Sequence, residues 1–143
     1  MQMNAKIRAK LFRSVSLALY SQEGSMGNLD KFGKVISEDL RDSILNHYLD
    51  IESGFIGSPI CKELAAQLSA FSDEQKKVIR SLLTNCIDSG IHDFLVAIEE
   101  EREGVSIQIG GKNIAGESDG LNGEIFTGDG WFDKFSQHKE NGI

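Results

Sequence analysis

Proline, cysteine and long apolar runs are scarce in this sequence of 143 residues. Because Pro59 is the single proline, long helices can form without interruption. The two cysteines, Cys61 and Cys86, fall in predicted helices and are interpreted as reduced thiols, with a disulfide between the helices as the less favoured alternative. No apolar run has the length needed to cross a bilayer, which argues against a membrane-spanning protein and favours a cytoplasmic location.

Signatures of catalysis and of cofactor binding are also missing. The sequence contains no glycine-rich phosphate loop, no nucleophile elbow and no paired-cysteine zinc pattern. We therefore predict no catalytic residue, no bound metal and no cofactor. The alternative is a small metal-dependent or acid–base enzyme that uses His92, Asp93 and carboxylates of a later loop, although metal-binding helices usually place their ligands three or four residues apart.

Charge is distributed unevenly along the chain, which has a formal net charge of −7. Residues 1–25 carry a net charge of +3 and residues 26–143 a net charge of −10. A strongly acidic body repels phosphate backbones, so we expect no binding to nucleic acid. The same charge is compatible with a basic protein partner, and it also has a simpler explanation in solubility.

Residues 1–25 are treated separately because they are basic and their apolar residues recur at helical spacing. One interpretation is a flexible basic extension that touches a membrane surface or a partner's groove. The other is a non-native extension that precedes a true start at Met26, since residues 22–24 can be encoded by a purine-rich ribosome-binding sequence. In either case residues 26–143 are predicted to form one globular domain without a membrane contact.

The clearest pattern is a long amphipathic helix from Ser72 to Gly104. Ser72 and Gln75 have the spacing of a capping box, which satisfies backbone amides of the first helical turn. Gly90 in its interior is predicted to bend the helix or to let another backbone approach. Apolar residues recur behind the cap at helical spacing and are predicted to be buried: Val78, Ile79, Leu82, Leu83, Cys86, Ile87, Ile91, Phe94, Leu95 and Ile98.

Two shorter helices are predicted before the long one and complete a helical body over residues 28–103. Ser37 is predicted to cap the first of them, and Ser58 with Pro59 to begin the second. The apolar residues expected in their buried faces are Leu40, Ile44, Leu45, Tyr48 and Ile51 in the first, and Ile60, Leu64, Leu68 and Phe71 in the second.

Residues 104–136 change to a glycine-rich pattern that predicts strands. Apolar and polar residues alternate from Val105 to Ile109, and a glycine pair then allows a hairpin return. Residues 124–126 are predicted as a third short strand, Asp129 as the cap of a terminal helix, and the residues from Gln137 onward as frayed. The sequence therefore predicts an α+β fold, with a mainly helical body of three or four helices, a small antiparallel sheet and a short C-terminal helix.

The loop over residues 116–130 is rich in Gly, Asp and Asn. Its segment from Ser118 to Asp129 resembles a calcium-binding EF-hand loop in the positions of its glycine and isoleucine. Ser118 and Gly120 stand where that family has carboxylates, and Asp129 replaces the bidentate glutamate. An ordinary polar turn explains the same residues, so we favour a turn over an ion site.

Seven residues are predicted as candidates for an interaction surface. The acidic candidates gather near the end of the long helix and in the following loops: Glu99, Glu100, Glu103, Asp119 and Glu124. Helix propensity alone is the alternative explanation for the glutamates. Trp131 and Phe132 either anchor the tail to the helices or, if they are exposed, contribute most to binding.

These observations favour a non-catalytic protein-interaction module that engages a basic partner. Small acidic immunity and antitoxin proteins have a similar general character, which is an analogy of composition and not of motif. A structural homo-oligomer is the remaining alternative, in which the long helix pairs with its copy. We expect exposed apolar surface on Ile91, Leu95 and Ile98 if that alternative is correct.

Overall fold

The computed structural model describes residues 26–126, 128–139 and 141–143, so the predictions about residues 1–25 lie outside the described residues. The α+β expectation with a mainly helical body is confirmed. The helical elements are α1 (Asn28–Lys34), a π-helical segment π1 (Val35–Asp42), α2 (Ser43–Glu52), α3 (Pro59–Ser69), α4 (Asp73–Glu99) and α5 (Trp131–Phe135). None of the described helices is long and apolar enough to cross a membrane.

The segments α1, π1 and α2 form one continuous helix, which corrects the predicted helix start at Ser37. Lys34 and Ser43, which flank π1, both have right-handed helical dihedral angles. Ser37 lies inside the helix and is fully buried. The prediction failed because Leu29, Phe32 and Ile36 already continue at helical spacing through this region, and no residue before Ser37 breaks the helix.

The π1 segment also changes which face of this helix is buried. Its buried residues are two adjacent pairs, Ile36–Ser37 and Arg41–Asp42, five positions apart. This spacing follows the i→i+5 repeat of a π-helix rather than the α-helical repeat. Leu40 and Ile44, predicted as core residues, are therefore 38% and 40% exposed, whereas Leu45 is fully buried as predicted.

The predicted caps of α3 and α4 are confirmed. The Ser58 side chain accepts from the Cys61 amide with Pro59 at the first helical position. Ser72 and Gln75 form the reciprocal capping box. The α4 helix ends at Glu99, before the predicted end at Gly104, and a 3₁₀ turn follows at Arg102–Gly104.

Several apolar residues of α3 and α4 are exposed, contrary to the predicted buried faces. On α3 and in the turn after it these are Ile60, Leu64 and Phe71, and on α4 they are Val78, Leu82, Cys86 and Phe94. The pattern correctly identifies an apolar face. It does not reveal whether another part of the same chain covers that face.

The tail contains a smaller sheet than predicted. β1 (Gln108–Ile109) and β2 (Lys112–Asn113) form a two-stranded antiparallel hairpin in which Gln108 pairs with Asn113. The segment predicted as a third strand belongs to a 3₁₀ turn, Leu121–Ile125, that follows a similar turn at Ile114–Glu117. Gly130, and not Asp129, is the N-cap of α5.

These tail elements cover the helices and complete the core. The core cluster consists of Phe32, Ile36, Ile91, Leu95, Ile98, Ile114, Leu121, Ile125, Trp131 and Phe132. The Trp131 ring packs edge to face on Phe32 with centroids 5.7 Å apart. It also lies against Gly33, where an added Cβ would be 2.4 Å from the ring, so this contact requires glycine. The short 3₁₀ turns direct Ile114, Leu121 and Ile125 to the same side.

Candidate interaction surfaces

A buried ion pair joins the continuous helix of α1, π1 and α2, called the N-terminal helix below, to α4. The Arg41 guanidinium, which is fully buried, donates from Nε to Asp88 Oδ1 at 2.6 Å and from NH2 to Asp88 Oδ2 at 3.0 Å. It also lies over the Phe132 ring, with Cζ 4.2 Å from the centroid. The bidentate geometry and the aromatic face both suit a planar guanidinium, which explains why arginine occupies this site.

The same network holds the C-terminal residues, which corrects the prediction that they fray. Arg41 donates to Ser136 Oγ at 2.9 Å and to the Lys139 carbonyl oxygen at 2.7 Å. Asp42 accepts from Ser136 Oγ at 2.5 Å and from the Gln137 amide at 2.7 Å. The tail is thus fixed to π1 by hydrogen bonds to charged groups, each of which contributes about 1.5–3 kcal/mol.

Sequence reasoning missed this network. One signal was available: Asp88 stands four residues after Thr84 and three before Ile91, and all three are buried on one face of α4. A carboxylate on an apolar face needs a buried cationic partner. Arg41 could not be identified as that partner, because only the π-helical geometry turns it inward.

A second ion pair joins α2 to α4 at a partly exposed position. Arg80 Nε donates to Glu52 Oε2 at 3.1 Å, and Arg80 NH2 contacts the other carboxylate oxygen. The hydrogen bond from Arg80 lowers the pKa of the Glu52 carboxyl. Burial, with the neighbouring Glu52 carboxylate, raises the pKa of Tyr48 to about 12. The carboxylates of Asp88 and Glu52 are therefore both engaged in ion pairs within the chain.

An apolar groove of about 300 Å³ lies between the N-terminal helix and α4. One wall contains Leu40 and Ile44, and the other wall and the floor contain Cys86, Ile87, Gly90, Ile91 and Phe94. A Cβ added at Gly90 would meet nothing within 4 Å, so this part of the groove is open.

Two exposed carboxylates precede the groove residue Leu40 along π1. Glu38 and Asp39 directly precede Leu40 and are both exposed. Partial burial, together with the charges of Asp39 and Asp42, raises the pKa of Glu38 against the opposing effect of Lys34. Neither carboxylate lines the groove, so the groove itself is apolar.

The predicted acidic surface is only partly available for a partner. Glu99 Oε2 accepts from the Leu121 amide at 2.9 Å, and Glu124 Oε1 accepts from Ser118 Oγ at 2.7 Å. Glu100 is exposed and pairs with Arg102 at 2.6 Å. Glu103 and Asp119 are exposed. Two of the five carboxylates thus support the fold directly, and three lie at the surface.

Trp131 and Phe132 are 1% and 0% exposed, which contradicts their placement on an interaction surface. The alternative, in which they anchor the tail to the helices, is confirmed. Phe132 packs on Arg41 as well as edge to face on Phe126, at a centroid distance of 5.8 Å. Burial is favoured because the two-stranded tail has too little secondary structure to be stable without an aromatic cover.

The residues proposed for an enzyme do not converge as a group. His92 Nδ1 lies 3.2 Å from Asp93 Oδ1, and His92 Nε2 lies 3.1 Å from the Asn122 side-chain amide. Glu124 instead binds Ser118. Within residues 26–126, 128–139 and 141–143 there is no group of three or more His, Cys, Asp or Glu residues that could hold a metal ion, including in the described part of the loop over residues 116–130.

Both cysteines are free: Cys61 is buried, and Cys86 is exposed. Ile91, Leu95 and Ile98, the residues expected at a homo-oligomer interface, are 4%, 0% and 3% exposed and belong to the core. The expectation for these three residues is therefore wrong, because the tail covers the C-terminal half of α4.

No family model, no curated protein and no solved structure matches this chain.

Proposed function

We propose that the protein is a non-catalytic interaction module that binds a basic protein partner. The observation that carries this proposal is the uncovered groove between the N-terminal helix and α4. Leu40, Ile44 and Phe94 are each about two-fifths exposed, although all three continue apolar faces. Contiguous apolar surface of this kind is typical of a binding site for another chain.

Charge supports a basic partner. The described residues belong to a region with a net charge of −10, and π1 carries the exposed carboxylates of Glu38 and Asp39. Glu100, Glu103 and Asp119 add exposed carboxylates at the end of α4 and in the tail. Complementary charge of this kind accelerates association, while burial of apolar anchors in a groove supplies most of the affinity.

The proposed mechanism is steric and electrostatic blocking of the partner, in a cytoplasmic setting. A basic amphipathic segment would place its apolar side chains in the groove and its cationic groups against exposed carboxylates of the surrounding surface. This resembles the general behaviour of small acidic inhibitors, and it assigns no catalytic role to His92 or Asp93.

The groove is tested with a matched pair of variants of the full chain. Ile44→Glu places a charge in the groove, whereas Phe55→Glu places one on an apolar side chain that is 82% exposed and outside the groove. We expect both proteins to fold. A basic partner captured by the wild type should be retained by Phe55→Glu and lost by Ile44→Glu, because a buried unpaired charge is strongly unfavourable.

Steering is tested separately by reversing Glu100, Glu103 and Asp119 to lysine. Association with the partner should become slower and less dependent on salt, with little change in dissociation.

Equal binding by Ile44→Glu and the wild type would exclude the groove. Unchanged association kinetics after charge reversal would exclude the acidic surface as a steering element.

A further inference from the structure

Between Lys77 and Phe94, ten residues of α4 are exposed, and together they form a regular strip. They occur as five adjacent pairs that repeat every four residues. The pairs are Lys77–Val78, Ser81–Leu82, Asn85–Cys86, Ser89–Gly90 and Asp93–Phe94. Residues four apart lie next to each other on a helix, so these pairs form one continuous ridge. We call it the α4 strip.

The middle of the α4 strip carries no charge. The charged residues between Lys77 and Asp93 are Arg80 and Asp88, and each is used in an ion pair with another helix. The three central pairs contain only uncharged side chains, in a chain of which 26% is charged. Depletion of charge around an exposed aliphatic residue is typical of the centre of a protein interface. Leu82 here is 62% exposed.

The two ends of the α4 strip carry opposite charges. Lys77 lies at the N-terminal end and makes no ion pair within the described part of the chain. Asp93 lies at the C-terminal end, and its side chain is 84% exposed. The midpoint between these two positions is Asn85, within the central pair.

This order makes the strip complementary to its own antiparallel copy. When two strips are centred on Asn85 and Cys86, Lys77 of each faces Asp93 of the other. Because the axis then lies between Asn85 and Cys86, Val78 and Phe94 are opposite each other to within one residue, as Lys77 and Asp93 are. We propose that a second copy of this chain binds here, through an isologous two-fold interface between the two α4 helices.

Side-chain size follows the same symmetry. In the antiparallel arrangement Leu82 of each copy faces Gly90 of the other. Leu82 projects from the helix, and a Cβ at Gly90 would meet nothing within 4 Å, so a large side chain faces an open position on both sides of the axis. Ridges formed by residues four apart interdigitate when the helix axes cross at roughly 50°.

Charge favours a second copy over a basic partner at this surface. A basic protein would find no carboxylate in the three central pairs and one at the Asp93 end. Two copies of an acidic chain repel each other unless they meet through a surface without net negative charge. The α4 strip satisfies this condition, because Lys77 and Asp93 cancel.

This interface does not rest on the proposed function, but Cys86, Gly90 and Phe94 also line the groove, so a second copy and a partner would compete there. The groove is tested with Ile44, and the strip is tested with Lys77 and Asp93, which do not line the groove. Loss of partner binding and loss of self-association can therefore be separated.

The first experiment is a charge swap measured by sedimentation equilibrium on the full chain. Lys77→Glu or Asp93→Lys alone should weaken the dimer about threefold to tenfold, since each places like charges opposite each other twice per dimer. The double variant should restore the wild-type affinity. A monomeric wild type at all concentrations, or no restoration in the double variant, would overturn the proposed interface.

The second experiment uses Cys86, which would lie at the two-fold axis. Mild oxidation of the dimer should give a Cys86–Cys86 crosslink between copies, because a disulfide requires Cα atoms about 4.4–6.8 Å apart. Cys86→Ser should abolish the crosslink, whereas Cys61→Ser should leave it unchanged because Cys61 is buried. Crosslinking should slow in Lys77→Glu and recover in the double charge swap. Equal rates in all three charge variants would show random collision and contradict the interface.

Discussion

The apolar residues compared between the two halves of α4 have opposite environments. In the C-terminal half Ile91, Leu95 and Ile98 are almost completely buried, whereas in the N-terminal half Val78 and Leu82 are more than three-fifths exposed. The two groups also lie on different faces, because Leu82 precedes Ile91 by nine residues, which is two and a half helical turns. An apolar periodicity therefore identifies candidate faces of the helix, and the elements packed on each face decide whether it is core or surface.

The tail covers the face of α4 that carries Ile91, Leu95 and Ile98. The 3₁₀ turns at Ile114–Glu117 and Leu121–Ile125, together with α5, contribute most of the core that faces α1 and the C-terminal half of α4. No comparable cluster of fully buried side chains covers the N-terminal half among the described residues. The face that the tail covers belongs to the core, whereas the face that carries Val78 and Leu82 is exposed.

The largest expected effect comes from Arg41, which fixes the covered half to the tail. Replacing Arg41 by methionine leaves Asp88 buried without its cationic partner and removes the donor to Ser136 and Lys139. We expect a loss of about 3–5 kcal/mol in the free energy of unfolding, measured by urea denaturation.

Arg80→Met is the matched control, because Arg80 also joins α4 to an earlier helix. Its side chain is 35% exposed, so the loss should be no more than about 1 kcal/mol. Equal losses in the two variants would show that burial does not distinguish these ion pairs.

The comparison between the halves is tested most directly by truncating one leucine in each. Leu95→Ala removes a fully buried side chain and should cost about 2–5 kcal/mol of unfolding free energy. Leu82→Ala should change the stability of the monomer by less than about 0.5 kcal/mol, because Leu82 is 62% exposed. The measurement should be made at a concentration where the chain is monomeric. A large loss in Leu82→Ala would mean that the N-terminal half is covered after all.

Alanine substitutions at two glycines are expected to change the stability of the monomer in opposite directions. Gly33→Ala places a Cβ 2.4 Å from the Trp131 ring, and we expect a loss of about 1–3 kcal/mol from overpacking. Gly90→Ala meets no atom within 4 Å and should stabilise the monomer by up to about 1 kcal/mol through helix propensity. Thermal unfolding of both variants checks the prediction. A destabilised Gly90→Ala monomer would contradict an open position at Gly90.

The smallest effect concerns pH and the ion pair between Glu52 and Arg80. The pKa of Glu52 is lowered from its ordinary value of 4.5 in the folded state, so the pair stabilises the fold above that value. This contribution is lost as the pH falls through the lowered pKa. Glu52→Gln lacks it, and the difference in stability between wild type and variant, under about 1 kcal/mol, should disappear in acid. If the difference in stability persists well below pH 4.5, it arises from packing and not from the ion pair.

Local chemistry made part of the fold predictable. The capping box at Ser72, the Ser58–Pro59 helix start and the change from helix to hairpin after α4 depend on neighbouring residues, and the structure has all three. The inward turn of Arg41 depends on the widened backbone of π1, and no local propensity reveals it. The 3₁₀ turns replaced the third strand because the glycine-rich tail follows the shape of the helices that it covers.

The candidate surfaces were less predictable than the fold. The acidic residues were found by composition, but Glu99 and Glu124 bind within the fold, which requires knowledge of where Leu121 and Ser118 lie. The symmetry of the α4 strip was present in the sequence. It could not be recognised without exposure values, because the intervening residues Arg80 and Asp88 look equally available until their ion pairs are seen.

The bond between Arg41 and Ser136 spans 95 positions of the chain, and this separation sets an order of events during synthesis. At roughly 5–20 residues per second, a ribosome needs about 5–20 s to add the residues between them. Throughout that interval the Arg41 guanidinium has to remain hydrated and Trp131 does not yet exist to cover Gly33. The apolar faces of the nascent helices therefore stay uncovered until the tail has been made. We expect the domain to become resistant to proteolysis only after that point.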